Sequence, residues 1–191
     1  MAASLITNHS AYFETENLIV RSITESDLPF YKTLFGHPVV MKLYQNGTPW
    51  DEKKIENRVE GWINRWKTGD VYSALVVIHK KDQTPIGHFV LGHGCKIGEA
   101  DVAGLGLPEY QNRKYGQEVA TAIFSRYLPE LKKFPVNIKD TDAPEGPLTE
   151  LHATANQQNA ASKRLLEKYG FELKTIGDEN GISRGNYYKK V

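Results

Sequence analysis

"HATANQQNAASKRLLEKYGFE", residues 152–172, predicts a strand, an Asn-rich turn and an amphipathic helix in direct succession. The strand prediction extends back to residue 148, because residues 148–155 alternate between apolar and polar side chains. The helix is predicted to begin near Asn159 and to end at Gly170, since glycine commonly follows the last helical turn. A helix that starts directly after a strand presents its unpaired N-terminal amides at that end of the sheet.

A second unit of the same kind lies upstream. Residues 99–107 alternate as a strand, residues 108–116 form a charged loop, and residues 117–131 show helical spacing of apolar side chains. The N-terminus of that helix, next to Arg113 and Lys114, predicts an anion site, because helix amides and the helix dipole attract negative charge. These residue types are also common in ordinary loops, so the composition of the loop alone leaves both interpretations open.

The rest of the chain mixes strands and helices. The predicted elements are strand 17–23, helix 27–36 with Thr24 as its N-cap, helix 51–67, two strands within 72–94, and one or two closing strands after Gly170. Residues 1–14 are interpreted as an N-terminal extension, and residues 132–147, which contain three prolines, as an irregular loop insertion. This order predicts a single α+β domain, residues 15–191, with a mixed, mostly antiparallel sheet flanked by helices.

Composition narrows the class of protein. The 191 residues carry 24 basic and 23 acidic side chains, so no overall field attracts nucleic acid, and Lys163, Arg164 and Lys168 are interpreted as a solvated helix face. No apolar run approaches the ~20 residues that cross a bilayer, and no secretory signal is recognised. Cys95, the single cysteine, is interpreted as a small side chain that fills the core. A single cysteine also excludes an internal disulfide and is typical of a protein in a reducing compartment. We therefore expect a cytoplasmic protein that binds neither nucleic acid nor membranes, as a monomer or a homodimer.

The unit at residues 152–172 resembles a known family. Asn159, Ser162 and the pair Gly170-Phe171 stand where the GNAT acyltransferase superfamily has its Asn, its Ala or Ser, and its Gly-Phe. Leu166 departs from the pattern, because many members have tyrosine there. The resemblance covers about residues 15–191 and is most specific in this C-terminal part.

Two further stretches extend the resemblance. The loop from Gln111 to Gly116 is similar to the pyrophosphate loop of the family, with Lys114 in place of its central glycine. Residues 16–21, followed by Asp27, resemble the opening of the branch that acetylates ribosomal-protein N-termini.

The resemblance implies an N-acetyltransferase that moves an acetyl group from the cosubstrate acetyl-CoA directly to a primary amine. The end of strand 99–107 would then offer amides to the pantetheine and to the thioester oxygen, the loop would hold the pyrophosphate, and Asn159 would bind pantetheine amides. The cofactor-binding residues implied in this way are Leu105, Gly106, Leu107, Gln111, Asn112, Arg113, Lys114, Tyr115, Gly116, Gln117, Asn159 and Ser162.

The backbone at Lys114 has two possible conformations. If the turn requires a positive φ where the family has glycine, lysine costs about 1 kcal/mol or more there. Alternatively, the turn is right-handed at Lys114 and the side chain reaches a phosphate of CoA.

The catalytic candidates are Asp101, Glu99 and Ser162. Glu99 and Asp101 share one face of strand 99–107, so Asp101 first and Glu99 second are candidates to receive the amine proton, with a paired or solvated carboxylate as the other interpretation. Ser162 is the matched residue able to protonate the departing thiolate, or it only caps or packs its helix. Tyr115 and Tyr169 are held in reserve as proton donors.

Several functional alternatives stay open. The altered loop and Leu166 are also compatible with a catalytically weak or inactive GNAT-fold module that binds acyl-CoA. The amine acceptor is a protein N-terminus or a small amine such as a polyamine, an amino sugar or an antibiotic. No spacing of Cys and His indicates a metal, and His88 and His93 are interpreted as hydrogen-bonded structural residues rather than titrating groups.

Overall fold

The computed structural model describes residues 5–7, 9–139, 145–179 and 181–191. Within these ranges, nine strands form one sheet: β1 (Ile6–Thr7), β2 (Ser10–Glu14), β3 (Leu18–Ser22), β4 (Ala74–His79), β5 (Thr84–His93), β6 (Glu99–Gly106), β7 (Glu150–Asn156), β8 (Glu172–Glu179) and β9 (Ile182–Lys190). The α-helices are α1 (Leu28–Gly36), α2 (Pro38–Met41), α3 (Glu52–Lys67), α4 (Tyr115–Ala122), α5 (Leu128–Leu131) and α6 (Ala160–Lys168). A π-helical turn, Ile123–Tyr127, joins α4 to α5.

The strand order is β1-β2-β3-β4-β5-β6-β7-β9-β8. Strands β6 and β7 are parallel, and the other neighbouring strands of the described sheet are antiparallel. The predicted α+β class with a mixed, mostly antiparallel sheet is confirmed. No helix among the described residues is long and apolar enough to cross a membrane.

Helices cover both faces of the sheet, as β5 illustrates. His88 contacts the rings of Tyr31 on α1 and Trp62 on α3, at centroid distances of 5.4 and 4.9 Å. The next residue, Phe89, points to the opposite face and contacts Phe124 in the π-helical turn. Because successive side chains of a strand alternate, α1 and α3 lie on one face of the sheet, and the helix that follows β6 lies on the other.

Helix α3 lies within the helix predicted at residues 51–67. Ile55, Val59, Trp62 and Trp66 are buried on one side, and their opposite side is charged. The Asp51 carboxylate accepts a hydrogen bond from the amide of Lys54 at 2.8 Å and caps the helix. The two tryptophans of α3 therefore belong to the core.

Three regions differ from the sequence-based expectations or lie partly outside the described residues. The segment interpreted as an N-terminal extension contributes β1 and β2, of which β2 pairs with β3. Cys95 is exposed and does not fill the core, because the turn between β5 and β6 holds it at the surface. In the predicted loop 132–147, residues 140–144 lie outside the described residues, and the described remainder contains one isolated bridge, Val136 to Gly146.

Substitution of Asp27 is expected to lower the stability of the fold strongly. Its buried carboxylate accepts two hydrogen bonds from Arg21, both at 2.8 Å, and one from the amide of Thr24. Removal of one partner from a buried pair leaves the other charge uncompensated, so we expect Asp27→Ala to lower the free energy of unfolding by about 3 kcal/mol or more. Urea unfolding measures this, with Glu25→Ala as a control, because the ion pair of Glu25 with Lys67 is exposed. Equal stability of the two variants would contradict the prediction.

Candidate active site

Strands β6 and β7 diverge at one point of the sheet. Their pairing consists of Glu99 with Glu150, Ala100 with Leu151, and Asp101 with His152. Strand β6 then continues to Gly106 and β7 to Asn156 without further pairing to each other. Since the two strands are parallel, the gap opens toward the carboxyl ends of both, where α4 and α6 begin.

One side of this gap is lined by backbone amides of β6. The amide of Leu107 donates to the carbonyl of Ile86 at 2.9 Å and therefore points to the neighbouring β5. Because successive amides of a strand point in opposite directions, those of Gly106 and Gly104 face the gap. Of Leu105, Gly106 and Leu107, whose amides the sequence analysis expected at the cofactor, only Gly106 presents its amide there.

The turn before α4 has two residues in the left-handed region. Asn112 has φ 61° and Lys114 has φ 64°, and α4 begins directly after Lys114. The right-handed alternative for Lys114 is therefore wrong, and the turn keeps the backbone that usually selects glycine. No side chain caps α4, so the first-turn amides of Tyr115, Gly116 and Gln117 are without an intrahelical partner.

The space around the turn is open on the side of Gly116. A Cβ added to Gly116 would meet no atom within 4 Å. Arg113 is exposed, with its guanidinium carbon 5.8 Å from the ring centroid of Tyr110. Exposed Gln111 and Asn112 precede these residues. The predicted loop residues thus form one cationic turn at the N-terminus of a helix, an arrangement that can hold an anion.

Hydrogen bonds fix the start of α4 against the N-terminal part of the sheet. The Glu118 carboxylate accepts from the hydroxyl of Thr15 at 2.5 Å and from the amide of Asn17 at 2.8 Å. Burial raises the pKa of Glu118, but these hydrogen bonds outweigh it and hold the pKa below its ordinary value. The phenol of Tyr115 lies 3.0 Å from Nε2 of His79.

At the second helix start, Asn159 and Ser162 have different roles. The side-chain oxygen of Asn159 accepts from the amide of Ser162 at 3.0 Å and caps α6, which leaves its NH2 group for a ligand. The half-buried hydroxyl of Ser162 makes no hydrogen bond to the described residues. Leu166 packs against the core, and the phenol of Tyr169 lies 2.6 Å from the hydroxyl of Thr121, which ties α6 to α4.

A histidine that no sequence motif marks, His152, lies where the strands diverge. Nδ1 of His152 lies 2.8 Å from the Asp101 carboxylate, and Nε2 lies 3.2 Å from the side-chain oxygen of Asn186. Burial alone would lower the pKa of His152, but the hydrogen bonds of Asp101 and Asn186 and the charge of Asp101 raise it above its ordinary value. Two acceptor oxygens facing the two ring nitrogens suit the protonated imidazolium.

Glu99 has a different environment from Asp101. It is 3% exposed, and Oε1 accepts from the amide of Cys95 at 2.9 Å. Oε2 lies 3.8 Å from the ammonium of Lys96. Glu99, Asp101 and His152 each offer a ligand atom within 4.8 Å of one another, but the Lys96 ammonium opposes binding of a cation, and we assign no metal.

The other two histidines considered in the sequence have the expected structural roles. Nδ1 of His88 lies 3.0 Å from the hydroxyl of Tyr31, and burial, together with a smaller effect of the Arg58 charge, lowers the pKa of His88 to about 3. Nε2 of His93 lies 2.7 Å from the Asp70 carboxylate. The interpretation of both as hydrogen-bonded residues is confirmed.

Comparison with known proteins identifies the family of this chain. A model described as the acetyltransferase (GNAT) domain matches residues 17–172. A GNAT-family acetyltransferase from Bacillus anthracis is 18% identical with a TM-score of 0.71, and the match covers 94% of this chain and 98% of that one. Ribosomal-protein-S5-alanine acetyltransferase from Vibrio fischeri is 17% identical with a TM-score of 0.69 and coverage of 94% and 96%.

A third similar structure contains coenzyme A. RimL, the ribosomal L7/L12 alpha-N-protein acetyltransferase, solved in complex with coenzyme A, is 13% identical with a TM-score of 0.69 and coverage of 94% and 98%. At these identities the likeness is one of fold. A search of curated proteins found no match.

Proposed function

The chain belongs to the GNAT acetyltransferase family, and on that premise we propose that it transfers the acetyl group of acetyl-CoA directly to the primary amine of a protein N-terminus. The divergence of β6 from β7 after Asp101 and His152 carries this proposal, because it places open amides, two helix N-termini and an acid–base pair around one gap. Similar folds in two ribosomal-protein acetyltransferases support a protein N-terminus as acceptor. We assign the activity to residues 15–191 and expect it in the cytoplasm.

The cosubstrate would lie along the gap. The amides of α4 and the charge of Arg113 would hold the pyrophosphate, and the NH2 group of Asn159 would bind a pantetheine carbonyl. The amide of Gly106 would stabilise the oxyanion that forms as the amine attacks the thioester carbon. The carbon–sulfur bond then breaks, and the CoA thiolate leaves.

The Asp101–His152 pair would take the proton that the amine loses. The proton comes to rest on the imidazole, because an imidazole is more basic than a carboxylate by about two to three pKa units. Asp101 orients the ring through Nδ1, so that Nε2 exchanges its contact with Asn186 for the amine or a bridging water. This assigns the base to His152 and a positioning role to Asp101, which was the first candidate from the sequence.

The pH dependence of the reaction tests this assignment. Only the neutral imidazole accepts a proton, so kcat with both substrates saturating should rise with pH through the pKa of His152, which lies above its ordinary value. Asp101→Asn removes the charge that raises this pKa, so we expect the inflection to move to lower pH and the plateau to fall. An unchanged rate and pH profile in Asp101→Asn would contradict the assignment.

Ser162 is the candidate proton donor to the thiolate. The backbone amide of Ser162, not its hydroxyl, donates the capping hydrogen bond to Asn159. Ser162→Ala should therefore preserve the melting temperature and the affinity for CoA. We expect kcat to fall about tenfold, since a thiolate leaves more readily than most groups that need a general acid. The matched variant Asn159→Ala removes the cap and should lower stability by about 1 kcal/mol. Full turnover in Ser162→Ala would transfer the role to solvent.

A second candidate function is acyl-CoA binding without turnover. The strained Lys114 and the apolar Leu166 favour it, because both depart from the family pattern at the cosubstrate. Mass spectrometry of the purified protein for bound CoA, together with thiol release from acetyl-CoA over a panel of amines, separates the two functions. Bound CoA without release on any amine supports the binding module.

A further inference from the structure

A cationic groove runs along α3. Its cavity of about 530 Å³ has eight lining residues, of which Lys53, Lys54, Arg58 and Arg65 are basic and Asp51 is acidic. The Asp51 carboxylate accepts from the amide of Lys54 as the helix cap and offsets only one of the four basic charges. Gly61 keeps the middle of the groove open, since a Cβ there would meet no atom within 4 Å.

Two of these cations are held without a carboxylate partner. Nζ of Lys54 lies 4.4 Å from the ring centroid of Trp50, and the guanidinium carbon of Arg58 lies 5.7 Å from that of Trp62. Neither cation has an ion pair with a described residue, whereas Lys67 on the same helix pairs with Glu25. Both tryptophans are 6% exposed, so each cation rests on a fixed aromatic surface.

The groove lies over β5, the strand next to β6. The charge of Arg58 acts on His88, which pairs with Leu105 near the carboxyl end of β6. The guanidinium of Arg65 is 3.7 Å from the position of a Cβ on Gly92, and Gly92 pairs with Asp101. The basic side chains therefore lie over β5, whose residues pair with β6 as far as Asp101, the residue that orients His152.

We propose that this groove binds acidic side chains that follow the terminal amine of a polypeptide acceptor. The inference rests on the proposed function and deepens it by naming the acceptor class. The half-exposed carboxylate of Asp101 provides the negative group where an amine is expected. The groove provides a positive wall over the neighbouring strand β5. Such a site attracts an N-terminus with an acidic continuation and repels polyamines and aminoglycosides, whose further charges are positive.

Peptide binding to the CoA-loaded enzyme tests the groove without requiring turnover. Three peptides with the same N-terminal serine differ only in the next residues: Asp and Glu, their amides Asn and Gln, or Lys and Arg. Calorimetry should show the acidic peptide binding about tenfold more tightly than the amide peptide, the size of one charge-assisted contact, with weaker binding of the basic one. Added sodium chloride should reduce the difference, because salt screens exposed charges.

Variants of the groove make the test specific. Lys54→Gln and Arg58→Gln should each remove most of the preference for the acidic peptide, and Lys67→Gln, with the same charge change on the same helix, should leave it intact. Equal affinity for the acidic and amide peptides, or the same preference in Arg58→Gln as in the unmodified enzyme, would overturn the inference. In that case, acetylation of both peptides would leave the proposed function standing.

Failure of the proposed transferase activity can be distinguished from failure of the groove proposal. Preferential binding of the acidic peptide that depends on Arg58, with no thiol release from acetyl-CoA on any amine, supports the groove and refutes the transferase activity.

Discussion

We expect replacement of His152 by glutamine to lower kcat for the proposed acetyl transfer by about 100-fold, a typical contribution of a positioned general base. Glutamine can still form hydrogen bonds with Asp101 and Asn186 but cannot take a proton at neutral pH. The loss should therefore appear in kcat, with the affinity for CoA unchanged, because His152 lies where the strands diverge and not at the phosphate turn. The rise of kcat with pH that is assigned to this ring should disappear.

The measurement is a pH series of kcat with acetyl-CoA and a peptide amine both saturating. His9→Gln is a suitable control, since His9 is exposed and lies between β1 and β2, at the far edge of the sheet from β7. A His152→Gln variant that retains full kcat, while Asp101→Asn loses it, would make the Asp101 carboxylate itself the base.

Gly116→Val is expected to weaken binding of CoA by about 100-fold, the effect of losing one or two charge-assisted hydrogen bonds between backbone amides and phosphate. The substitution should not disturb the apo protein, because a Cβ at this position would meet no atom within 4 Å and Gly116 has an ordinary helical φ. The β-branched side chain would instead occupy the space in front of the amides of α4, where the pyrophosphate is expected.

Lys114→Gly is the informative partner of that variant. Glycine relieves a left-handed conformation that costs lysine about 1 kcal/mol, so the free energy of unfolding should increase. If the backbone alone holds the phosphate, affinity for CoA stays the same or improves, and a large loss would show that the Lys114 side chain contacts a phosphate. Calorimetric titration of CoA compares both variants, and unchanged binding in Gly116→Val would exclude this turn as the cofactor site.

Local patterns predicted most of the fold. The order of elements from residue 17 onward follows from apolar spacing and from capping residues, such as Thr24 with Asp27, whose hydrogen bond is present at 2.8 Å. The strand β2 was missed although Ala11 and Phe13 alternate with polar residues, because a short strand is recognisable only with its partner β3.

The acid–base site was only half predictable for the same reason. Asp101 was placed correctly on its strand, and His152 was placed on another, but no sequence signal fixes the parallel register that sets them side by side. The conformation of Lys114 was likewise open, since lysine on its own favours the right-handed region and only the turn as a whole imposes the positive φ.

The three residue pairs that join β6 to β7 connect two parts of the sheet as well as forming one end of the site. Strands β1 to β6 lie side by side in chain order, whereas β7, β9 and β8 form a second block whose strand pairing with the first consists of these three pairs among the described residues. A ligand bound in the gap would form hydrogen bonds with both blocks and so connect them. Its departure would leave these three pairs and helix contacts such as that of Tyr169 with Thr121 between the two parts of the sheet. We therefore expect product release to lower the local stability of the sheet at this gap.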